Sequence, residues 1–153
     1  IGVSNKEAKH YIESYLAHYS GVDSYMKNVV EKANADGYVE TMFGRRRNLP
    51  ELTSSKHMIR AFGERVARNM PIQGTAADII KIAMIKVDER MKAENLRARL
   101  VLQVHDELIV EAPQDESMRV ALIVQEEMEN AVKMSVPLTA DAAIGRTWYD
   151  AKG

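Results

Sequence analysis

The 153-residue sequence has no cysteine, few aromatic residues and no long apolar run. Without cysteine, disulfides and thiolate metal sites are excluded, and the absence fits a reducing cytoplasm. No apolar stretch approaches the roughly 18 residues of a membrane-spanning helix, and no signal peptide is visible, so we expect no membrane partner. The chain starts at Ile1 rather than at a methionine, which suggests a piece of a longer protein.

What the chain does contain is a globular composition with unevenly distributed charge. Hydrophobic residues make up 46% of the chain, charged residues 28%, and the net charge is −1, which is typical of a folded domain with a core. Residues 44–69 hold seven cationic side chains against two acidic ones, a local excess of +5 that leaves −6 for the remainder. Such a segment indicates either contact with a polyanion or a solvated face.

The clearest element is the stretch Gln-Val-His-Asp-Glu-Leu-Ile-Val-Glu at 103–111, where apolar runs flank a polar centre. Runs of Leu, Ile and Val without glycine or proline predict two strands. His105 and Asp106 are the predicted turn, because a two-residue hairpin turn needs positive φ, which His and Asp tolerate. Asp106 and Glu107 would then lie at the hairpin tip, as a metal-binding or phosphate-binding pair or as a solvated acidic turn.

The rest of the chain predicts helices first and a mixed arrangement later. Helical spacing predicts two helices up to Gly37, a short hairpin around Gly44, and further helices interrupted at Pro71. A tyrosine stripe on the first two helices is expected to pack between them rather than to stack on bases. We expect a last strand at residues 138–144. The predicted fold class is α+β, with a small antiparallel sheet of the central hairpin and this strand packed on helices.

Carboxylates are the candidates for catalytic chemistry. Asp106 and Glu107 carry oxygen ligands of the kind that Mg²⁺ prefers, and a two-metal phosphoryl transfer needs at least one carboxylate more. Asp78 and Asp141 are interpreted as structural, since nothing in their spacing directs them at Asp106. His105 is a candidate for contact with a DNA backbone or a terminal hydroxyl, or for local hydrogen bonds in the turn.

A second pattern consists of Arg65, Asn69 and Gln73, which are spaced by four residues on either side of Pro71. If the chain stays near-helical, they line one edge of a helix. Arg, Asn and Gln side chains can read base edges or sugars in a DNA groove through directed hydrogen bonds. The alternative is that Asn69 ends one helix and Gln73 begins the next.

Five segments together closely resemble family A DNA polymerases, the bacterial DNA polymerase I group. They read GYVET at 37–41, GRRRNLP at 44–50, ERVARNMPIQGTAAD at 64–78, QVHDEL at 103–108 and GRTW at 145–148. The resemblance runs in register over essentially the whole chain. It implies a distal fingers portion and connecting helix at residues 1–70, and the C-terminal part of the palm at residues 71–153.

The resemblance also implies roles for individual residues. Through the match of residues 103–107 to the family's motif C, Asp106 is a catalytic ligand of two Mg²⁺ ions, and Glu107 is the less essential neighbouring acid of the same catalytic metal site. His105 would lie near the primer terminus and contact DNA. The other residues for which the match implies DNA contacts are Arg65, Asn69, Gln73 and Gln103.

The implied activity is the addition of deoxynucleotides from deoxynucleoside triphosphates to the primer of a primer-template DNA, in a bacterial cytoplasm. The family's motif A strand and nucleotide-binding fingers helix are not among these 153 residues. We therefore expect the chain alone to be inactive and to need the remainder of the polymerase domain. Two other interpretations stay open: a DNA-binding module without catalysis, and a scaffold piece that needs a partner chain.

Overall fold

The computed structural model describes residues 2–152, which combine helices and strands. The helices are Asn5–His18 (α1), Ser20–Asp36 (α2), His57–Ala93 (α3), Ser117–Glu129 (α4) and Trp148–Ala151 (α5), with a short 3-10 helix at Pro50–Thr53. Strands Tyr38–Glu40 (β1) and Arg46–Asn48 (β2) form one antiparallel pair, and Arg99–Val104 (β3) and Glu107–Glu111 (β4) form another. The fold is α+β, as predicted.

The chain divides into two compact units, Ile1–Thr75 and Ala76–Gly153, and the boundary falls inside α3. The core of the first unit consists of Ala33, Val39, Leu49, Leu52 and Ala67. The core of the second unit consists of Val87, Met91, Ala98, Val120 and Ile123. Across residues 2–152, no helix has both the length and the apolar character that crossing a bilayer requires.

The predicted last strand is absent, because residues 138–144 are irregular. The backbone N–H of Ala140 donates to the carboxylate of Glu129 at 3.1 Å, so a side chain takes the bond that a sheet would have used. No strand of the described residues pairs with this segment. The prediction of a third strand is therefore wrong, and the central sheet consists of β3 and β4.

Pro71 does not interrupt α3, which runs through it from His57–Ala93. A proline inside a helix removes a backbone hydrogen bond and costs about 3 kcal/mol. A tertiary contact holds the segment nonetheless: the Thr75 hydroxyl, which donates to the Pro71 carbonyl one turn back at 2.5 Å, accepts the backbone N–H of Met42 at 3.1 Å. The predicted break is wrong because such long-range bonds are not visible in local propensity.

The tyrosine stripe does not form a buried contact between α1 and α2. Its four rings keep 43–62% of their surface exposed (Tyr11, Tyr15, Tyr19 and Tyr25), and α1 has no buried residue. The rings of Tyr15 and Tyr19 contact each other, with centroids 4.8 Å apart. The packing prediction is wrong because the core of the first unit is built from α2, the first hairpin and α3.

Gly74 is required for the contact between α3 and the first hairpin. A Cβ at Gly74 would lie 2.7 Å from Cγ2 of Thr41. Thr41 cannot turn away freely, because its hydroxyl accepts the backbone N–H groups of Phe43 and Arg45, each at 3.2 Å. Overpacking costs about 1–3 kcal/mol, and Ala contributes about 1 kcal/mol over Gly in a helix. We expect Gly74→Ala to lower the free energy of unfolding by up to about 2 kcal/mol, measured by urea denaturation.

The matched control is Gly21→Ala in α2, where a Cβ would meet nothing within 4 Å. Here the gain in helix propensity is not offset by a clash, so the substitution should stabilise the chain by up to about 1 kcal/mol. If both substitutions stabilise the chain equally, the close approach of Gly74 to Thr41 has no energetic consequence.

An ion-pair network joins the end of α3 to α4 in the second unit. The guanidinium of Arg119 donates to the Glu94 carboxylate at 2.7 and 2.5 Å, and Arg90 contacts Glu126 and Glu127 at 2.7 and 2.8 Å. The hydrogen bond from Arg119, with a smaller contribution from Arg90, holds the pKa of Glu94 below its ordinary value of 4.5 although desolvation opposes this. The folded state therefore stabilises the charged form of Glu94.

Acid should weaken this network. A carboxyl group whose pKa is depressed by folding contributes stability that is complete above the unfolded value and is lost as the pH falls through the folded value. The melting temperature should therefore decrease when the pH is lowered beyond 4.5. Glu94→Gln should make this decrease smaller, because an amide does not titrate. Thermal unfolding at about pH 6 and about pH 3 tests this. An equal loss in the variant and the original chain would contradict it.

Candidate functional site

The tip of the β3–β4 hairpin presents the two candidate acids. The strands pair from Arg99 opposite Glu111 to Val104 opposite Glu107, which leaves two residues for the turn. His105 adopts a positive φ of 53°, as this tight turn requires. The predicted hairpin and turn are confirmed. Asp106 is exposed, and Glu107, the first residue of β4, is half-buried.

Gln103 braces the turn from inside the hairpin. Its side-chain Nε2 donates to the carbonyl oxygen of His105 at 2.5 Å. This bond fixes the backbone on the N-terminal side of Asp106, a role that the sequence did not indicate. The DNA contacts of Gln103 and His105 stay predictions.

Lys152 is a site residue that sequence reasoning missed. Its Nζ lies 3.7 Å from Oε1 of Glu107, although the two residues are far apart in the chain. The one local signal is its place four residues after the GRTW segment, in which a capping box starts α5. Charge pairing with the hairpin could not be predicted without the fold.

The two acids offer the type of ligand that a hard divalent cation prefers, but too few ligands to hold it by themselves. Carboxylate oxygens are preferred ligands of Mg²⁺, and the Asp106 carboxylate is accessible at the turn. Within residues 2–152, no group of three or more His, Cys, Asp or Glu residues is placed to hold a metal ion. Asp78 is buried in α3, Asp141 lies in the irregular segment 138–144, and neither joins the pair in such a group. The two acids alone therefore do not supply the ligands that a two-metal site needs.

Arg65, Asn69 and Gln73 lie on the continuous helix α3 and are all exposed. Their spacing and the 1.5 Å rise of an α-helix put them in a row about 12 Å long. The alternative of two capping residues is wrong, because no helix ends or begins between them. The guanidinium carbon of Arg65 lies 5.8 Å from the ring centroid of Phe62, within the range of a cation–π contact.

The basic segment is exposed but partly neutralised within the first unit. Arg45, Arg46 and Arg47 are all exposed. Arg46 pairs with Glu40 at 3.1 Å, and its guanidinium lies over the ring of Tyr38 at 4.4 Å from the centroid. The segment therefore combines solvent-exposed cationic groups with a local ion pair, and charge alone does not distinguish a solvated face from a polyanion contact.

Comparison with known proteins gives consistent matches. The model of DNA polymerase family A matches residues 1–150. DNA polymerase I of Bacillus caldotenax and that of Geobacillus stearothermophilus are each 53% identical over 152 residues, which are 99% of this chain and 17% of each relative. The chain thus spans about a sixth of the length of these relatives. The POL domain of Pol1 from M. smegmatis, in complex with DNA primer-template and dNTP, has a TM-score of 0.94 at 47% identity, covering 99% of this chain and 27% of that one.

Proposed function

Because the chain belongs to DNA polymerase family A, we propose that it forms part of a DNA-directed DNA polymerase that extends a primer with deoxynucleotides. The proposal is carried by the β3–β4 hairpin, whose two-residue turn projects Asp106 beside Glu107. Residues 1–70 are assigned to the distal fingers and connecting helix, and residues 71–153 to the C-terminal part of the palm. The bacterial relatives support a bacterial cytoplasmic enzyme of replication and repair.

Polymerases of this family use divalent metal ions, and we infer Mg²⁺ from the hard oxygen donors of the hairpin. Asp106 would hold the two ions, with Glu107 as the second and less essential acid. When bound, two Mg²⁺ ions favour ionisation of the primer 3′-hydroxyl and neutralise charge that develops on the triphosphate. Within the described residues no third acid completes a metal-binding group with the pair, so the remaining ligands would come from the remainder of the polymerase domain.

Primer-template DNA is the proposed partner of the row on α3. Arg65, Asn69 and Gln73 present hydrogen-bond donors along about 12 Å, which corresponds to three or four base pairs. The minor groove offers acceptors that are common to all base pairs, so such contacts hold DNA of any sequence, as a copying enzyme requires. His105 and Gln103 are proposed to contact DNA at the hairpin, near the primer terminus.

The second candidate function is DNA binding without catalysis by this chain alone. It is favoured by the incomplete metal site, since two adjacent acids at an exposed turn cannot by themselves hold two ions. In this case the chain would act as a DNA-binding module, or as a scaffold piece that becomes catalytic only together with a partner chain.

Primer extension distinguishes these candidates. We would compare the chain alone with a chimera in which it replaces the matching 152 residues of the Geobacillus stearothermophilus polymerase, each with primer-template, four deoxynucleoside triphosphates and Mg²⁺. We expect synthesis by the chimera and none by the chain alone. A folded chimera that binds DNA without synthesis would contradict the polymerase proposal and favour the binding module. Synthesis by the chain alone would mean that its metal site is complete.

A further inference from the structure

We propose that Lys152 is a positioning residue that holds the carboxylate of Glu107, the neighbour of Asp106 in the chain, on the side of α5. The inference rests on the proposed function, because it concerns the same hairpin. The Nζ atom of Lys152 lies 3.7 Å from Oε1 of Glu107 and 5.4 Å from the ring centroid of Trp148. The ammonium group thus lies near both a carboxylate and an aromatic ring, each of which attracts a cation.

The short helix α5, which ends one residue before Lys152, is fixed by its own sequence. In its capping box, the N–H of Asp150 donates to Oγ1 of Thr147 at 3.2 Å, and the N–H of Thr147 donates to the Asp150 carboxylate at 3.1 Å. The N–H of Lys152 donates to the carbonyls of Trp148 and Tyr149 at 3.1 and 3.3 Å. Helices this short are not stable by themselves, so these bonds determine the backbone position of Lys152.

Gly145 allows the chain to fold back tightly against this helix. A Cβ at Gly145 would lie 2.5 Å from the backbone nitrogen of Ala151 and 2.8 Å from the carbonyl carbon of Asp150. Both are backbone atoms, so no side-chain rotation could relieve the clash. The close approach, the capping box and the aromatic contact of Lys152 thus all hold one arrangement of the C-terminal segment.

The consequence is an asymmetry between the two neighbouring acids. Glu107 has Lys152 as an ion-pair partner, whereas within residues 2–152 no such partner is found for the exposed Asp106. Adjacent carboxylates repel each other, and a cation beside one of them draws it away and reduces the repulsion. Lys152 therefore holds Glu107 on the side of α5 and leaves the Asp106 oxygens open to a cation, which gives the two acids different roles.

The proposal is tested first in the active chimera. Lys152→Ala should lower kcat about fivefold, equivalent to about 1 kcal/mol, with little change in KM for the nucleotide or in Kd for primer-template. Lys152→Arg should restore the rate, because it restores the charge. Lys133→Ala, which removes an exposed lysine of the same unit, is the matched control and should retain the rate.

The decisive arm repeats Lys152→Ala in a Glu107→Gln background. If Lys152 acts through the Glu107 carboxylate, the second substitution should add no further loss. The same loss in both backgrounds, or a loss that Lys152→Arg does not restore, would overturn the proposal. An inactive original chimera would instead count against the proposed function.

A second readout does not depend on activity. In the 153-residue chain, thermal unfolding of Lys152→Ala, Glu107→Gln and the double variant measures the coupling of the pair directly. We expect the two shifts in melting temperature to be non-additive, because the double variant loses the same ion pair only once. Strictly additive shifts would overturn the contact on which the proposal depends, whatever the chimera does.

Discussion

Asp106→Asn in the chimera should lower the rate of primer extension by about 1,000-fold or more, equivalent to about 4 kcal/mol of transition-state stabilisation. Asparagine keeps the size of the side chain but removes the negative charge on which a divalent cation depends. Because Asp106 is an exposed turn residue whose φ is not positive, the fold should tolerate the substitution. Single-turnover extension at saturating nucleotide measures the loss, and fluorescence anisotropy should show that Kd for primer-template is little changed.

The matched control for this prediction is Asp141→Asn. Asp141 is also exposed, lies in the irregular segment 138–144, and carries the same charge, so its loss should leave the rate nearly unchanged. Synthesis that survives Asp106→Asn would remove Asp106 from the metal site. A comparable loss in both variants would instead identify Asp141 as the further carboxylate, against its interpretation as structural.

The hairpin could be predicted because its determinants are local. Short runs of Leu, Ile and Val and a turn that needs positive φ all lie within residues 99–111, and His105 adopts that φ. The brace from Gln103 to the His105 carbonyl adds a refinement that no pattern indicated. The contact of Lys152 with Glu107 could not be predicted, because it depends on how the C-terminal segment folds back at Gly145.

The errors share one physical cause, which is that tertiary contacts outweigh local signals. Pro71 was expected to break a helix, but the Thr75 hydroxyl joins it to Met42 in the first hairpin. Residues 138–144 are predicted to form a last strand, but the Ala140 amide donates to the Glu129 side chain. In both places the deciding hydrogen bond joins residues of different segments, Thr75 with Met42 and Ala140 with Glu129, where neither propensity nor periodicity carries information.

The row on α3 could be predicted only in part from the sequence. The spacing of Arg65, Asn69 and Gln73 was evident in the sequence, but it allowed a groove contact or two helix caps. The continuity of α3 through Pro71 removes the second interpretation, because none of the three residues is at a helix end. That the row contacts DNA stays a prediction, which a binding measurement tests.

Replacing Arg65, Asn69 and Gln73 together by alanine should raise the Kd of the chimera for primer-template by about 10- to 100-fold. Only Arg65 is charged, so the slope of log Kd against log salt should change by about one. The contacts of the two amides should persist at high salt and be similar for all template sequences. Lys9→Ala, which removes one charge from α1, is the control for charge alone. If the triple variant weakens binding only at low salt and no more than Lys9→Ala does, the row is a solvated basic face and not a groove contact.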